Sequence, residues 1–253
     1  MEYLLTPKNI KVVESFAAVH TVYGFDFDGT LAPIVSNPEQ AFMTKKVQMS
    51  LKKLNSLVPL AIITGRSVKD VRKFLDFEPK YIIGNHGVEG TQSESELSEI
   101  EKACASLKIY LVRFFSSHLS QLGITLEDKR YSLSLHYRNS TDIQKAEDFL
   151  NFYLRDLPSA SVSRGKMVFN VLPYKSVNKG QAFFNILSKE SASFGFYIGD
   201  DETDETVFTQ QDSRILNVRV GDSNISAANY YLKNQNEIGD LLEILINLKS
   251  RSF

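Results

Sequence analysis

The stretch His20-Thr-Val-Tyr-Gly-Phe-Asp-Phe-Asp-Gly-Thr30 joins a β-branched and aromatic run to an abrupt polar end. Such a run predicts a buried strand, and the polar residues after it predict a turn. Gly29 permits that turn, and its neighbouring backbone amides can bind an anion. The carboxylates of Asp26 and Asp28 are two positions apart and can point the same way. This segment is therefore the first candidate for chemistry.

Apolar runs of the same kind recur along the chain, and segments of helical periodicity lie between them. Strands that alternate with helices imply βαβ crossovers and a parallel sheet with helices on both faces. The sequence therefore predicts an α/β fold, a doubly wound parallel sheet. The further predicted strands are residues 58–63, 81–83, 195–198 and 215–220, and the predicted helices are 44–57, 68–75, 180–187 and 238–248.

The order of elements changes near residue 93, where an acidic stretch begins. A long helical pattern, two segments of period-two alternation, a second helix and two more alternating segments follow, as expected for antiparallel hairpins. We assign residues 98–173 to an inserted, smaller α+β domain. Residues 1–97 and 174–253 then form the sheet domain around it.

Open parallel sheets bind ligands at the carboxyl ends of their strands, so the polar residues after each apolar run should meet there. Thr64 follows one run, and Lys179 stands at the start of a later helix. The loop Gly199-Asp-Asp-Glu-Thr-Asp-Glu205 contains five acids within six residues. One aspartate of the Asp26 pair can attack phosphorus while the other transfers protons. Because a carboxylate and a phosphate dianion repel each other, this chemistry needs a cation, and dense oxygen donors suit magnesium.

The composition excludes several other classes. Of the 253 residues, 43% are hydrophobic and 23% charged, which is typical of a globular chain and not of a disordered one. With 29 basic and 30 acidic residues the net charge is −1, so we expect neither nucleic acid nor a membrane as a partner. Four histidines and a single cysteine offer no Cys/His zinc site and no internal disulfide. A cytoplasmic location is the expectation, since no targeting signal is visible.

Four ordered segments resemble the motifs of the haloacid dehalogenase superfamily of phosphohydrolases. They are Asp26-Phe-Asp-Gly-Thr-Leu31, Thr64 in Ile-Ile-Thr-Gly-Arg, Lys179, and Gly199-Asp-Asp-Glu-Thr-Asp204. Further segments, Gly84-Asn-His-Gly-Val-Glu89, Leu135-His-Tyr-Arg138 and Lys166, resemble trehalose-6-phosphate phosphatases, and the resemblance runs from about residue 22 to 208. It implies a Rossmann-like catalytic core with the inserted domain as a mobile cap.

The resemblance also implies roles for individual residues. Asp26 is the expected nucleophile, Asp28 the general acid and base, and Thr64 and Lys179 the phosphate-binding residues. The expected ligands of a Mg²⁺ cofactor are Asp26, Asp28, Asp200 and Asp204. The expected substrate contacts are Gly65, Arg66, His86, His136, Arg138, Lys166, Asn170 and Asp201. A small-molecule sugar phosphate is the expected substrate, with functional coupling to a trehalose-6-phosphate synthase.

One segment departs from the family pattern. Asn170 stands where the family usually has glutamate, and Leu172 stands where it usually has arginine. Asparagine is neutral and has a smaller acceptor capacity, so the choice of sugar stays open. Three alternatives also stay open, namely a phosphatase of another glycosyl phosphate, a phosphomutase, and a catalytically silent sugar-phosphate sensor or synthase partner.

Overall fold

The computed structural model describes residues 1–35, 37–173, 176–210 and 212–250. By their contacts the residues form two compact units. The core unit consists of Met1–Gly90 and Asn178–Phe253, and the inserted unit consists of Thr91–Val177. Among the described residues, no helix is both long enough and apolar enough to span a bilayer.

Strands and helices alternate along most of the chain. It runs through β1 (Glu2–Tyr3), α1 (Pro7–Ala17), β2 (Thr21–Phe25), α2 (Lys45–Asn55), β3 (Leu60–Ile63), α3 (Val68–Val71), β4 (Tyr81–Ile83), α4 (Glu94–Gln121), β5 (Thr125–Asp128), β6 (Leu133–His136), α5 (Ile143–Leu154), β7 (Ala160–Gly165), β8 (Val168–Pro173), α6 (Lys179–Lys189), β9 (Phe194–Gly199), α7 (Glu205–Phe208), β10 (Ile215–Val220), β11 (Tyr230–Leu232) and α8 (Ile238–Ser250).

The core unit is built on a seven-stranded sheet in the order β1-β11-β10-β9-β2-β3-β4, and all of its pairs are parallel. Successive residues of a strand face opposite sides. Tyr23 and Phe25 of β2 therefore pack into the apolar cluster that also contains residues of α1, α2 and α8. Gly24 lies on the other face, against Phe183 of α6. Helices thus cover both faces, which confirms the predicted doubly wound α/β fold.

Strand β2 is an inner strand of this sheet and lies between β9 and β3. The backbone N–H of Asp26, directly after β2, donates to the carbonyl oxygen of Ile198 in β9 at 2.9 Å. Phe25 is in register with Ile198 on one side and with Ile62 of β3 on the other. The residues that follow these three strands therefore emerge at one edge of the sheet.

The inserted unit has an antiparallel sheet in the order β5-β6-β8-β7. Leu133 and Leu135 of β6 and Phe169 and Val171 of β8 form one apolar face, which packs with residues of α4 and α5. Both predicted hairpins, β5-β6 and β7-β8, are present, and the β6-β8 pairing joins them.

The unit begins at Thr91, a few residues before the predicted boundary at 98. Its acidic stretch is the first turn of α4, because Ser93 and Glu96 form a reciprocal capping box there. The other predicted boundary, at residue 174, lies outside the described residues. The sequence reading did not predict β1, α1, α7 and β11. The two strands among them have only two and three residues.

The close contact of β2 with α6 gives a test of the packing. A Cβ atom on Gly24 would lie 2.7 Å from ring carbons of both Phe183 and Tyr197. Gly24→Ala should therefore lower the free energy of unfolding by about 1–3 kcal/mol through overpacking. The matched control is Gly239→Ala, where the new Cβ would meet Lys46 Cδ at an ordinary 3.5 Å inside α8. It should raise stability by about 0.5–1 kcal/mol in urea denaturation. Equal midpoints for the two variants would contradict this packing.

Candidate active site

Three buried carboxylates form a cluster at the carboxyl edge of the core sheet. Asp26 follows β2, and Asp200 and Asp204 lie in the loop after β9. One oxygen of each lies within 4.8 Å of an oxygen of the other two. All three residues are almost fully buried, since their exposed fractions are 4%, 2% and 0%. Negative charges enclosed at this density require compensation by cations or hydrogen-bond donors.

Asp204 has protein donors on both of its oxygens. Its Oδ2 accepts the backbone N–H groups of Asp200 and Asp201 at 3.1 and 3.0 Å. Its Oδ1 accepts the Tyr197 hydroxyl and the Lys179 ammonium, both at 2.8 Å. Four donors around one carboxylate favour a role in shaping the loop. Direct contact of Asp204 with a metal ion stays a prediction.

Lys179 is the first residue of α6, and local sequence fixes it there. The Asn178 side chain and the Gln181 side chain cap the helix reciprocally. The Lys179 ammonium lies 2.9 Å from Asp26 Oδ1 as well as 2.8 Å from Asp204 Oδ1, and only 2% of its side chain is exposed. Burial disfavours its charge, but the two carboxylates outweigh burial and raise the pKa of Lys179. The lysine is therefore a charged bridge between β2 and the acidic loop.

Burial also governs the acids around this bridge. It raises the pKa of the Asp26 carboxyl well above its usual range, with Lys179 opposing the shift and Asp204 and Asp200 adding to it. Burial, together with the charge of Asp204, raises the pKa of Asp201 to about 6. The Asp201 carboxylate accepts the backbone N–H of Glu202 at 2.6 Å, so part of its function is to cap the following turn.

Asp28 has a different environment from Asp26. Its side chain is 38% exposed, and Arg66 donates to both of its oxygens, at 2.7 and 2.8 Å. In the part of the chain that the structure describes, the cluster consists of Asp26, Asp200 and Asp204, and the Asp28 carboxylate lies outside it. A metal contact through Asp28 thus stays a prediction. The substrate contact expected of Arg66 also stays a prediction, because the guanidinium donates to protein acceptors.

Thr64 and Gly65 follow β3, the strand that pairs with β2. Thr64 is fully buried, and its hydroxyl accepts the backbone N–H of Arg66 at 3.2 Å. A Cβ atom on Gly65 would lie 2.4 Å from His86 Cε1, so the absence of a side chain lets the His86 ring lie against this loop. His86 has a left-handed backbone with φ of 59°, and 7% of it is exposed. The structure thus brings together three of the residues expected at the site.

The remaining expected substrate contacts lie in the inserted unit. His136 Nε2 bonds to Glu127 Oε2 at 2.8 Å, and this bond lowers the pKa of Glu127 to about 2. Arg138 donates to the carbonyl oxygen of the exposed Lys166 at 3.3 Å. Asn170 is buried and accepts the Ser134 hydroxyl at 2.8 Å, on the face of the sheet opposite to the apolar one.

Sequence reasoning missed two residues that organise the site. Tyr197 lies within the apolar run of β9 and was indistinguishable from a core residue, yet its hydroxyl donates a hydrogen bond to Asp204. Glu89 accepts the backbone N–H of Val68 at 2.7 Å and the Asn85 amide at 3.0 Å, which holds the loop that contains His86. Its position in the Gly84–Glu89 motif was the available signal.

The donor set fits a hard divalent cation. All three ligand candidates offer carboxylate oxygens, which magnesium and calcium prefer over zinc. Space at the cluster depends on Gly29, because a Cβ atom there would lie 2.1 Å from Asp200 Oδ2. The loop backbone with φ of 84° at Gly29 also requires glycine. The chemistry of the site therefore suits a divalent metal ion and does not by itself select which one.

The core is a parallel α/β sheet with acids after β2, a threonine after the neighbouring strand β3, a helix-initial lysine and an acidic loop. This is the arrangement that the resemblance to haloacid dehalogenase phosphohydrolases leads us to expect. The family model described as trehalose-phosphatase matches residues 24–235. This chain belongs to that family, whose members are phosphoric monoester hydrolases.

Individual relatives agree with this membership. The chain is similar to probable trehalose-phosphate phosphatase H of Arabidopsis thaliana, with 28% identity over 88% of this chain and 71% of the relative. The C-terminal domain of C. albicans trehalose-6-phosphate phosphatase matches with a TM-score of 0.71 and 21% identity, over 95% of this chain and 98% of that one. The sucrose-phosphatase of Synechocystis sp. PCC6803 matches with a TM-score of 0.58 and 17% identity, over 91% and 98%. These two structures show the shared fold.

The Asp204 carboxylate accepts four hydrogen bonds from the protein, which gives a prediction for stability. In Asp204→Asn, one donor-accepting oxygen becomes an NH₂ group that must face either two backbone amides or the lysine and tyrosine donors. We expect the free energy of unfolding to fall by about 3–5 kcal/mol, the usual cost of breaking a buried charge network. Asp240→Asn is the control, because the side chains of the Lys46–Asp240 pair are 50% and 61% exposed and meet at 2.9 Å.

The control should cost less than about 1 kcal/mol. Urea and thermal denaturation measure both variants. A loss at Asp204 as small as the loss at Asp240 would show that the carboxylate does not organise the loop.

Proposed function

We propose that this protein hydrolyses trehalose 6-phosphate to trehalose and inorganic phosphate, with magnesium as cofactor and a phosphorylated aspartate as intermediate. The observation that carries the proposal is the Asp26 carboxylate, buried at the end of β2 and paired with Lys179 at 2.9 Å inside the carboxylate cluster. Membership of the trehalose-phosphatase family supports the choice of substrate.

In the first half-reaction, an Asp26 oxygen attacks phosphorus and the bond from phosphorus to the sugar oxygen breaks. Asp28 gives its proton to the departing sugar oxygen, so trehalose leaves as the neutral alcohol. In the second, Asp28 takes a proton from water, the water oxygen attacks phosphorus, and the bond to Asp26 breaks. Inorganic phosphate leaves, and both aspartates return to their starting states.

The two roles agree with the two environments. Asp26 is enclosed beside Lys179, where water is largely excluded and a nucleophile can be held in place. Asp28 is partly exposed and can reach both the leaving group and solvent. Environments that differ in this way are how one pair of carboxylates supplies two functions.

Asp26 and Asp200 are the residues that would hold the magnesium ion, with Asp204 supporting the loop or adding a ligand. When bound, the ion supplies positive charge that offsets the repulsion between the attacking carboxylate and the phosphate dianion. Lys179 and Thr64 supply a cation and hydrogen-bond donors for the phosphoryl oxygens, since the ammonium already lies at the attacking carboxylate.

The phosphoryl site cannot choose among sugars, so the choice must come from residues that reach the remote part of the substrate. A sucrose-phosphatase shares this fold, so the fold alone does not select the sugar either. We propose that His136, Arg138, Lys166 and Asn170 of the inserted unit recognise the disaccharide. His86, Gly65 and Asp201 remain proposed contacts nearer the phosphate. The substrate would be the product of a trehalose-6-phosphate synthase, and functional coupling to that enzyme belongs to the proposal.

The first test is phosphate release from a panel of sugar phosphates. Asp26→Asn should lower turnover by on the order of 10³-fold or more, because an amide keeps the shape but cannot attack phosphorus. Asp240→Asn is the matched control on the surface and should turn over normally. A chelator should abolish activity, magnesium should restore it, and calcium should inhibit because its oxygen shell is larger and looser.

Each alternative has its own result in this assay. Activity that persists in chelator would exclude the metal requirement, and phosphate trapped on Asp28 would reverse the two roles. A phosphorylated isomer in place of phosphate would select a phosphomutase. No turnover of any sugar phosphate would select a silent sensor or synthase partner.

The second test addresses the sugar. Lys166→Ala and Asn170→Ala should each lower kcat/KM for trehalose 6-phosphate by on the order of 10 to 200-fold, while hydrolysis of 4-nitrophenyl phosphate, which has no remote atoms, changes by less than about twofold. Lys145→Ala, an exposed lysine on α5, is the control within the same unit. Asn170→Glu restores the usual family residue and should leave the efficiency unchanged or raise it. A higher efficiency of the unmodified protein on another glycosyl phosphate would reject trehalose 6-phosphate and leave the phosphatase assignment intact.

A further inference from the structure

The Arg66 guanidinium holds the Asp28 carboxylate by two parallel hydrogen bonds. Nε donates to Asp28 Oδ2 at 2.7 Å, and Nη2 donates to Asp28 Oδ1 at 2.8 Å. A fork of this kind fixes both the position and the plane of a carboxylate, which a single ammonium contact cannot do. Both oxygens of Asp28 therefore have a fixed direction.

The guanidinium is itself fixed on its other sides. Nη1 donates to Asp70 Oδ2 at 2.8 Å, and Nη2 also donates to the carbonyl oxygen of Pro38 at 2.8 Å. The guanidinium carbon lies 4.6 Å from the ring centroid of Phe74 and 5.5 Å from that of Phe27. With only 8% of Arg66 exposed, its donors serve protein acceptors and its plane is held by aromatic rings.

Asp28 needs such support more than Asp26 does. The Asp26 carboxylate is enclosed, whereas that of Asp28 is 38% exposed. A partly exposed aspartate samples several rotamers, and a proton-transfer group must lie within hydrogen-bond reach of the reacting oxygen. Folding that fixes the rotamer in advance removes the entropy cost of finding it during the reaction.

We propose that Arg66 is a positioning residue that holds the Asp28 carboxylate in the orientation from which it exchanges protons with the sugar oxygen and with water. The assignment rests on the function proposed above, in which Asp28 moves these protons. It replaces the expectation that Arg66 contacts the substrate. The backbone N–H of Arg66 also donates to the Thr64 hydroxyl oxygen at 3.2 Å within the loop after β3, and its side-chain fork joins that loop to the turn after β2.

The test is a double-mutant cycle with trehalose 6-phosphate turnover as the readout. Arg66→Gln removes the fork but keeps a long side chain against the two rings. It should lower kcat on the order of 100-fold, with KM changed by less than about threefold, because orientation of a general acid and base affects the reaction and not binding. Arg66→Lys restores the charge and one hydrogen bond, so it should recover part of the loss. Arg72→Gln is the control, since it removes an exposed guanidinium that is paired with Glu78.

Because Arg66 acts through Asp28, the two losses should not multiply. Asp28→Asn combined with Arg66→Gln should be as slow as Asp28→Asn alone, within about threefold. Losses that multiply would overturn the assignment and indicate a general structural effect. A raised KM with unchanged kcat would also overturn it, in favour of substrate binding by Arg66.

The leaving group provides a readout that a structural role would not move. In single turnover, 4-nitrophenolate leaves without a proton, so phosphorylation by 4-nitrophenyl phosphate should lose less in Arg66→Gln than phosphorylation by trehalose 6-phosphate. Equal losses for the two substrates would contradict the assignment. If circular dichroism shows that Arg66→Gln is unfolded, the same cycle is run with Arg66→Lys.

The outcome for the unmodified protein separates the two proposals. Absence of turnover there would reject the proposed function and this assignment together. Normal turnover combined with multiplied losses would reject this assignment alone.

Discussion

The buried network of Asp204, Lys179 and Asp26 is the constraint on which the site depends. One ammonium lies within 2.9 Å of both carboxylates, and Asp204 accepts three further donors from its own strand and loop. Enclosing three charged groups is costly unless each is paired and its hydrogen-bonding capacity is filled. Filling that capacity requires the end of β2, the start of α6 and the loop after β9 to meet at one place. The network thus fixes the positions of elements that are distant in sequence.

The same requirement explains why small residues surround the network. A Cβ atom on Gly199 would lie 2.1 Å from Asp204 Cγ, so β9 must end in glycine for the carboxylate to turn back onto its own loop. A Cβ atom on Gly180 would lie 2.1 Å from the carbonyl oxygen of Thr206, so α6 must present glycine directly after Lys179 for α7 to pack there. Close approach of backbone to backbone brings the ammonium to the acidic loop, and larger residues at these two positions would separate them.

Much of this arrangement could be predicted from the sequence, because its main signals are local. Apolar runs that end in polar residues identified β2, β3 and β9, and parallel pairing then placed Asp26, Thr64 and the acidic loop at one edge. The short strands β1 and β11 gave no such signal, since they have only two and three residues. The sequence also does not show which side chains form hydrogen bonds with each other. Nothing local indicates that Asp204 is saturated by protein donors, or that Arg66 pairs with an aspartate 38 positions away.

The two aspartates of one short motif show how the fold gives identical side chains different environments. Asp26 and Asp28 are chemically identical and two residues apart, yet one is enclosed with an ammonium and the other is partly exposed with a guanidinium. An ammonium is a compact point charge that leaves a carboxylate oxygen free to approach a ligand, whereas a guanidinium fork fixes the plane of both oxygens. The first arrangement suits a group that must form a bond to phosphorus, and the second suits a group that must present a proton in a fixed direction. In the proposed mechanism, the choice of cation at each position, made by residues far along the chain, is therefore what separates the nucleophile from the proton carrier.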